Sequence, residues 1–244
     1  MLRPARRSSV LTPLFAFLLT VAPAAVARPA LGLPLDLNAK GRTDTDKDRD
    51  SYNKPEELFA FWGIKDGMKV MDLFPGNGYL TLLLSQAVGS KGKVVGFASY
   101  DHEAFDKRFR PLGLTNLEEM VMPEPQGFGS DLTKALAKLP AGSFDAVLTI
   151  RNYHDLKNPA EALAEIKRIL KPGGTLGIID SRTASGRDEP NHRIADDVII
   201  REVLQAGFSL SGVSQMLTNP KDDYSKGFWD ARWIIDQSCL KFTR

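Results

Sequence analysis

The chain has 244 residues, 43% hydrophobic and 25% charged, with a formal net charge of +2 and one cysteine. That balance fits one folded domain of ordinary composition plus extra sequence at an end, and it gives no argument for a polybasic surface that binds nucleic acid or anionic lipid. Cys239 alone excludes an internal disulfide and a cysteine-rich zinc site.

The extra sequence lies at the N-terminus. Arg3, Arg6 and Arg7 precede the apolar run Val10–Ala22, and Ala25-Val26-Ala27 supplies a small-x-small cleavage pattern. The run is short of the roughly 20 residues that a membrane span needs. Residues 1–27 are therefore expected to be a signal peptide, exporting the mature chain to a periplasm-like compartment without stable membrane insertion. The alternative is a tether formed by an uncut N-terminus. Arg6-Arg7-Ser8-Ser9-Val10-Leu11 resembles a twin-arginine export signal, though paired arginines also occur in ordinary signal peptides. Cleavage takes three arginines and no acid from 32 basic and 30 acidic residues, leaving a net charge of −1.

Residues 28–52 read as a polar linker or N-terminal arm, because Pro and Gly recur and no periodicity is sustained. Within it Asp44, Asp46, Asp48 and Asp50 alternate, and Glu57 stands at the twelfth position counted from Asp46. Ser51 occupies the place where a calcium loop of this kind requires glycine, so the expectation is a solvated, charge-balanced segment.

Residues 53–244 alternate between helical and strand patterns. Pro55–Trp62 is expected to be a short helix opened by proline. Strands are expected at Val70–Leu73, Val94–Phe97, Leu117–Val121, Phe144–Ile150 and Thr175–Ile179. Helices are expected at Tyr79–Val88, His102–Phe109, Leu132–Leu136 and Pro159–Leu170, the last stopped by Lys171-Pro172-Gly173-Gly174. After a helix over Ile194–Ala206, two strands at Phe208–Met216 and Arg232–Phe242 have no helix between them and should pair antiparallel at one edge. Repeated strand–helix units imply a doubly wound parallel sheet between helical layers. The predicted fold is a single Rossmann-like αβα sandwich with a mostly parallel, seven-stranded sheet.

The segment most informative about function is Lys69–Leu83. Asp72 falls where an apolar strand stops, Gly76 and Gly78 permit a tight turn and close backbone approach, and free N–H groups of the next helix face the loop. Gly76-Asn77-Gly78-Tyr79-Leu80-Thr81 lacks the third small residue of a dinucleotide fingerprint, which argues against NAD(P).

Three blocks in order, Val70–Thr81, Leu139–Ile150 and Leu170–Asp180, resemble those of class I S-adenosylmethionine-dependent methyltransferases over roughly Pro55–Phe242. Phe74-Pro75-Gly76-Asn77-Gly78-Tyr79, Arg151–Leu156 and His192-Arg193-Ile194 resemble a subfamily of signal-peptide-bearing periplasmic methyltransferases. The resemblance implies S-adenosyl-L-methionine as cofactor and a small-molecule acceptor, and no nucleic-acid partner. It places the cofactor against Asp72, Phe74, Gly76, Gly78, Tyr79, Ser99, Asp101, Asp131, Leu132, Arg151 and Asn152. Phe74 stands in place of the motif's first glycine. Ala98 stands about where the second strand carries the acid that holds the ribose hydroxyls, with Ser99 and Asp101 as substitutes one step further.

His154 and Asp155 follow the fourth strand, at the edge where ligands bind in open α/β sheets, and a His–Asp pair there can accept a proton. His192, before the sixth strand, is expected to touch the acceptor. His102 is expected to be an ordinary surface residue. The three histidines are far apart in sequence and form no H-x-x-H pattern, so no metal set is expected. The readings left open are a methyltransferase and a catalytically degenerate S-adenosyl-ligand-binding protein on the same scaffold.

Overall fold

A computed structural model describes residues 35–99, 102–122, 129–231 and 234–244. The signal segment and Asp101 lie outside the described residues, as do the side chains of Ser99 and Ser130. In chain order the elements are helices α1 (Asp44–Asn53) and α2 (Pro55–Trp62), strand β1 (Lys69–Leu73), α3 (Tyr79–Val88), β2 (Lys93–Ser99), α4 (His102–Phe109) and β3 (Leu117–Val121). There follow α5 (Ser130–Ala137), β4 (Phe144–Ile150), α6 (Pro159–Ile169), β5 (Leu170–Ser181), the short strands β6 (Arg187–Asp188) and β7 (Arg193–Ile194), α7 (Asp196–Gln205), β8 (Ser209–Val213), α8 (Phe228–Ala231) and β9 (Gln237–Thr243).

One seven-stranded sheet has the order β3-β2-β1-β4-β5-β9-β8. β1 to β5 pair in parallel, and β9 runs antiparallel between β5 and β8. This is the predicted architecture, terminal antiparallel pair included, except that the short helix α8 stands between β8 and β9, where no helix was expected.

The strands read as continuous apolar runs because both of their faces are covered. Met71, Leu73, Val147 and Ile178 pack in one core cluster with Leu132 and Leu136 of α5, Leu163 and Ile166 of α6, and Ile199 and Val203 of α7. The alternate residues Val70, Ala146, Leu148 and Ile179 pack on the other face with Leu58 and Trp62 of α2 and Leu80, Leu83 and Leu84 of α3. A period of two thus divides one apolar strand between two cores.

Two differences from the sequence reading have plain causes. The Pro172-Gly173-Gly174 segment does end α6, yet β5 already begins at Leu170, which pairs with Phe144 before the register shifts. The backbone of Gly173 and Gly174 is also tied to Arg244. The second difference is α1, which occupies the segment read as aperiodic linker. Thr43 and Asp46 close a reciprocal capping box. The helix has no apolar stripe because it docks through charge. Asp46, fully buried, pairs with Arg108, and Asp50 takes Arg42 at 2.6 Å and the Tyr79 hydroxyl at 2.9 Å. The acids counted as solvated therefore include two inward-facing ones.

Trp62 is fully buried and donates its indole N–H to the Leu240 carbonyl at 3.2 Å. Its ring fills the space above Gly177, where a Cβ would come within 2.5 Å of it. Trp62→Ala is expected to cost about 3–5 kcal/mol, read as a lowered urea midpoint at unchanged slope.

Candidate active site

The sheet reverses its winding between β1 and β4, the place where an open α/β sheet leaves a crevice at its carboxyl edge. The next residue of each strand turns away from the gap. Phe74 donates its N–H to Phe97 of β2 at 2.9 Å, and Arg151 donates to Ile179 of β5 at 2.8 Å. Both take left-handed backbone angles, φ 61° and 56°. Non-glycine residues held in this region cluster at functional sites, since the surrounding structure must enforce the strain. Asn152 spans the gap, its amide donating to Ile150 at 2.7 Å and reaching the Phe74 carbonyl at 3.5 Å.

On the β1 side, Asp72 is buried and accepts the Thr81 hydroxyl at 2.6 Å. Burial raises its carboxyl from the ordinary 3.8 to about 6, against the lowering effect of Thr81. Gly76 and Gly78 both take positive φ in the turn that follows. A Cβ on Gly78 would fall 2.3 Å from the Phe109 ring, so this glycine admits α4 against the loop.

Above the crevice stands the end of α1. Arg151 donates to Tyr52, Asn53 and Gln237 at 3.2, 3.2 and 2.8 Å. Arg49 lies over the Tyr79 ring, and burial and then the Arg151 guanidinium hold it below the ordinary arginine range. Nδ2 of Asn53 is buried with no hydrogen-bond acceptor. Two cations and an unsatisfied donor thus meet at the end of α1, and a buried carboxylate closes β1. That donor set suits an amino acid group: Asp72 for an ammonium, and Arg49, Arg151 and Asn53 for a carboxylate.

On the β4 and β5 side a second cluster forms. His154 Nδ1 lies 2.7 Å from Oδ1 of Asp180, a fully buried residue at the carboxyl edge of β5, which also accepts the backbone N–H groups of His154 and Ser181. His154 Nε2 lies 3.1 Å from His192 Nδ1 and 3.3 Å from Asp155. Burial lowers the basicity of His154, but Asp155 and Asp180 outweigh it and push the imidazole up to about 9. The cluster thus holds positive charge between two carboxylates at neutral pH.

The predicted residues divide as follows. His154, Asp155 and His192 meet; Asp72, Phe74, Gly76, Gly78, Tyr79, Arg151 and Asn152 border the crevice. Tyr79 gives its hydroxyl to Asp50. Leu132 is fully buried in the core, while Asp131 is exposed and pairs with Lys134 at 3.2 Å. His102 is exposed and bonds Glu119 at 2.6 Å. Sequence reasoning missed Asp180, Arg49 and Asn53. Asp180 carried the same signal as Asp72, a carboxylate closing an apolar strand; the two α1 residues carried none, since their helix has no apolar period.

A family model described as "Methyltransferase domain" matches residues 72–178, from Asp72 through β5. Over that segment, less than half of its length, the chain is similar to a methyltransferase domain. The ubiquinone/menaquinone biosynthesis C-methyltransferase UbiE of Shewanella oneidensis is 28% identical over 179 residues, covering 73% of this chain and 65% of that protein. A match of the same extent is found in the UbiE of Shewanella baltica. The chain thus spans just under two thirds of the length of these curated relatives. Among solved structures, a SAM-dependent methyltransferase from Aquifex aeolicus superposes with a TM-score of 0.59 at 24% identity, over 80% of this chain and 92% of that one. The [4+2]-cyclase SpnF does so at the same TM-score and 17% identity, over 84% of each chain. These likenesses establish the fold. The cofactor that the family and the fold imply is S-adenosyl-L-methionine, whose ammonium and carboxylate fit the donor set around Asp72 and Arg151.

The Asp72 carboxyl makes a signed prediction. Its folded value lies above its unfolded one, so ionised Asp72 destabilises the fold above about pH 6, and the cost vanishes as pH falls towards 4. Asp72→Asn is expected to be more stable than the wild type by up to roughly 3 kcal/mol at pH 8, with the difference closing by pH 4 in urea titrations.

Proposed function

We propose that this protein transfers the methyl group of S-adenosylmethionine to a small-molecule acceptor, using the crevice between β1 and β4. The observation that carries the reading is the buried Asp72 carboxylate at the carboxyl end of β1, with Arg151 and His154 following the end of the neighbouring strand β4. When bound, the cofactor supplies an electrophilic methyl on sulfur. Asp72 would hold its ammonium, and Arg49, Arg151 and Asn53 its carboxylate. His154, fixed by Asp180, would handle the acceptor's proton together with Asp155 and His192. Orientation and exclusion of water supply much of the rate of an in-line displacement. Curated relatives named as C-methyltransferases of quinone biosynthesis favour a small organic acceptor.

The reading includes export. Arg3, Arg6, Arg7, the apolar run to Ala22 and Ala25-Val26-Ala27 support a signal peptide cut after Ala27 and a periplasmic enzyme. Among the described residues no helix is long and apolar enough to cross a membrane.

Calorimetric titration with S-adenosylmethionine and S-adenosylhomocysteine tests the cofactor assignment. Asp72→Ala is expected to weaken S-adenosylmethionine binding by more than about tenfold, the loss of one charged hydrogen-bonded partner; unchanged affinity would remove Asp72 from the site. Mass spectrometry of protein recovered from its native compartment should show Arg28 as first residue. An intact N-terminus would replace export with tethering.

A further inference from the structure

We propose that His154, Asp155 and His192 bind a divalent first-row metal ion, zinc by preference, on one wall of the crevice. The inference goes beyond methyl transfer; only the assignment of the ion's open face to the acceptor rests on that reading.

The geometry is specific. Nε2 of His154, Nδ1 of His192 and the Asp155 carboxylate form a triangle with edges of 3.1, 3.3 and 3.6 Å. Ligand atoms about 2.0–2.1 Å from a tetrahedral zinc lie roughly 3.3–3.4 Å apart, close to the separations of the two nitrogens from each other and from the Asp155 carboxylate, which turns Oδ2 to His154 and Oδ1 to His192. Among the described residues this is the group of imidazoles and carboxylates whose ligand atoms all fall within 4.8 Å of one another. Two imidazoles and one carboxylate with an open fourth position make the donor set of a catalytic rather than a structural site.

Asp180 is an independent observation. Metal-binding histidines give their second ring N–H to a carboxylate or carbonyl, which fixes the tautomer and the ring. His154 Nδ1 meets buried Asp180 at 2.7 Å, so the opposite edge of the ring faces His192 and Asp155. Arg187, the cation bonded nearest, is turned away: it binds the backbone carbonyl of His154 at 2.9 Å and Glu202 at 2.7 Å.

His192 is presented by a device of its own. Arg187–Asp188 and Arg193–Ile194 form a small antiparallel ladder, closed by a four-residue turn that ends on His192 at φ 53°. The Asn191 amide anchors the turn on Asp188 at 2.8 Å, and Arg193 is fully buried in a two-pronged ion pair with Asp222 at 2.9 and 3.0 Å. A half-exposed histidine held at a strained angle between such anchors is positioned rather than merely tolerated. The open face of the ion would meet the crevice and take an acceptor through oxygen, the donor type that competes with water at such a site.

The full-length chain, free of any polyhistidine tag, is stripped with chelator and incubated separately with Zn²⁺, Mn²⁺ and Co²⁺. About one equivalent of zinc per chain should survive gel filtration, and cobalt should give the visible d–d bands of a four-coordinate nitrogen–oxygen site. His192→Ala, on a half-exposed hairpin turn, should lose metal affinity at least about tenfold while keeping the wild-type circular dichroism, and Asp180→Asn should lose about 10–100-fold. His102→Ala serves as control and should change nothing. Retention of far less than one equivalent of every ion, or equal retention by His192→Ala, overturns the site. A chain that binds S-adenosylhomocysteine but no metal overturns this inference alone. One that binds metal but neither adenosyl compound upholds it and overturns the methyltransferase reading.

Discussion

Everything functional in this protein depends on the reversal of winding between β1 and β4. At that gap two neighbouring parallel strands end side by side, yet their next residues hydrogen-bond outward, Phe74 to β2 and Arg151 to β5. The divergence demands left-handed backbone at two non-glycine positions, a conformational cost that the parallel ladders on either side enforce. The space so opened is bordered by strand ends alone, so whatever lies at those ends becomes the site. Asp72, Asn152, His154 and Asp180 all stand there.

The polar groups around the crevice follow a single logic. Burying a carboxylate or a guanidinium is costly unless it is paired, and nearly every charged group here has a partner from another element. Asp180 takes three donors, and Asp46, Asp50, Arg42 and Arg108 hold α1 on the loop after β1. Arg193–Asp222 and Arg182–Asp236 brace the segment carrying His192. The exceptions are informative. Asn53 keeps an unsatisfied donor, Arg49 and Arg151 face each other, and Asp72 is held from easy ionisation. These are the groups that an amino acid moiety would satisfy.

Much of the fold was legible in the chain. Tyr79–Val88, His102–Phe109 and Phe144–Ile150 form over the predicted residues, because apolar spacing, a glycine turn and a proline stop act within a few residues of the elements they delimit. Helix α1 was not legible, since its stability comes from ion pairs such as Asp46–Arg108, 62 residues apart, and an apolar periodicity is absent. Sequence likewise marked Leu132 and Asp131 as neighbours on one helix start but could not tell that the first turns into the core while the second faces solvent.

The sequence by itself determined the alternation of strands and helices, the carboxylate at the end of β1, the glycine turn and the candidate histidines, all of them local patterns of hydrophobicity and backbone freedom. Only the tertiary structure decided which of those groups meet. Asp180 reaches His154 across 26 residues because β5 lies beside β4, and His192 reaches it across 38 because a short hairpin folds back over the strand ends. Proximity of this kind is set by strand order and register, which arise from packing two cores on one sheet and leave no periodic trace in the chain.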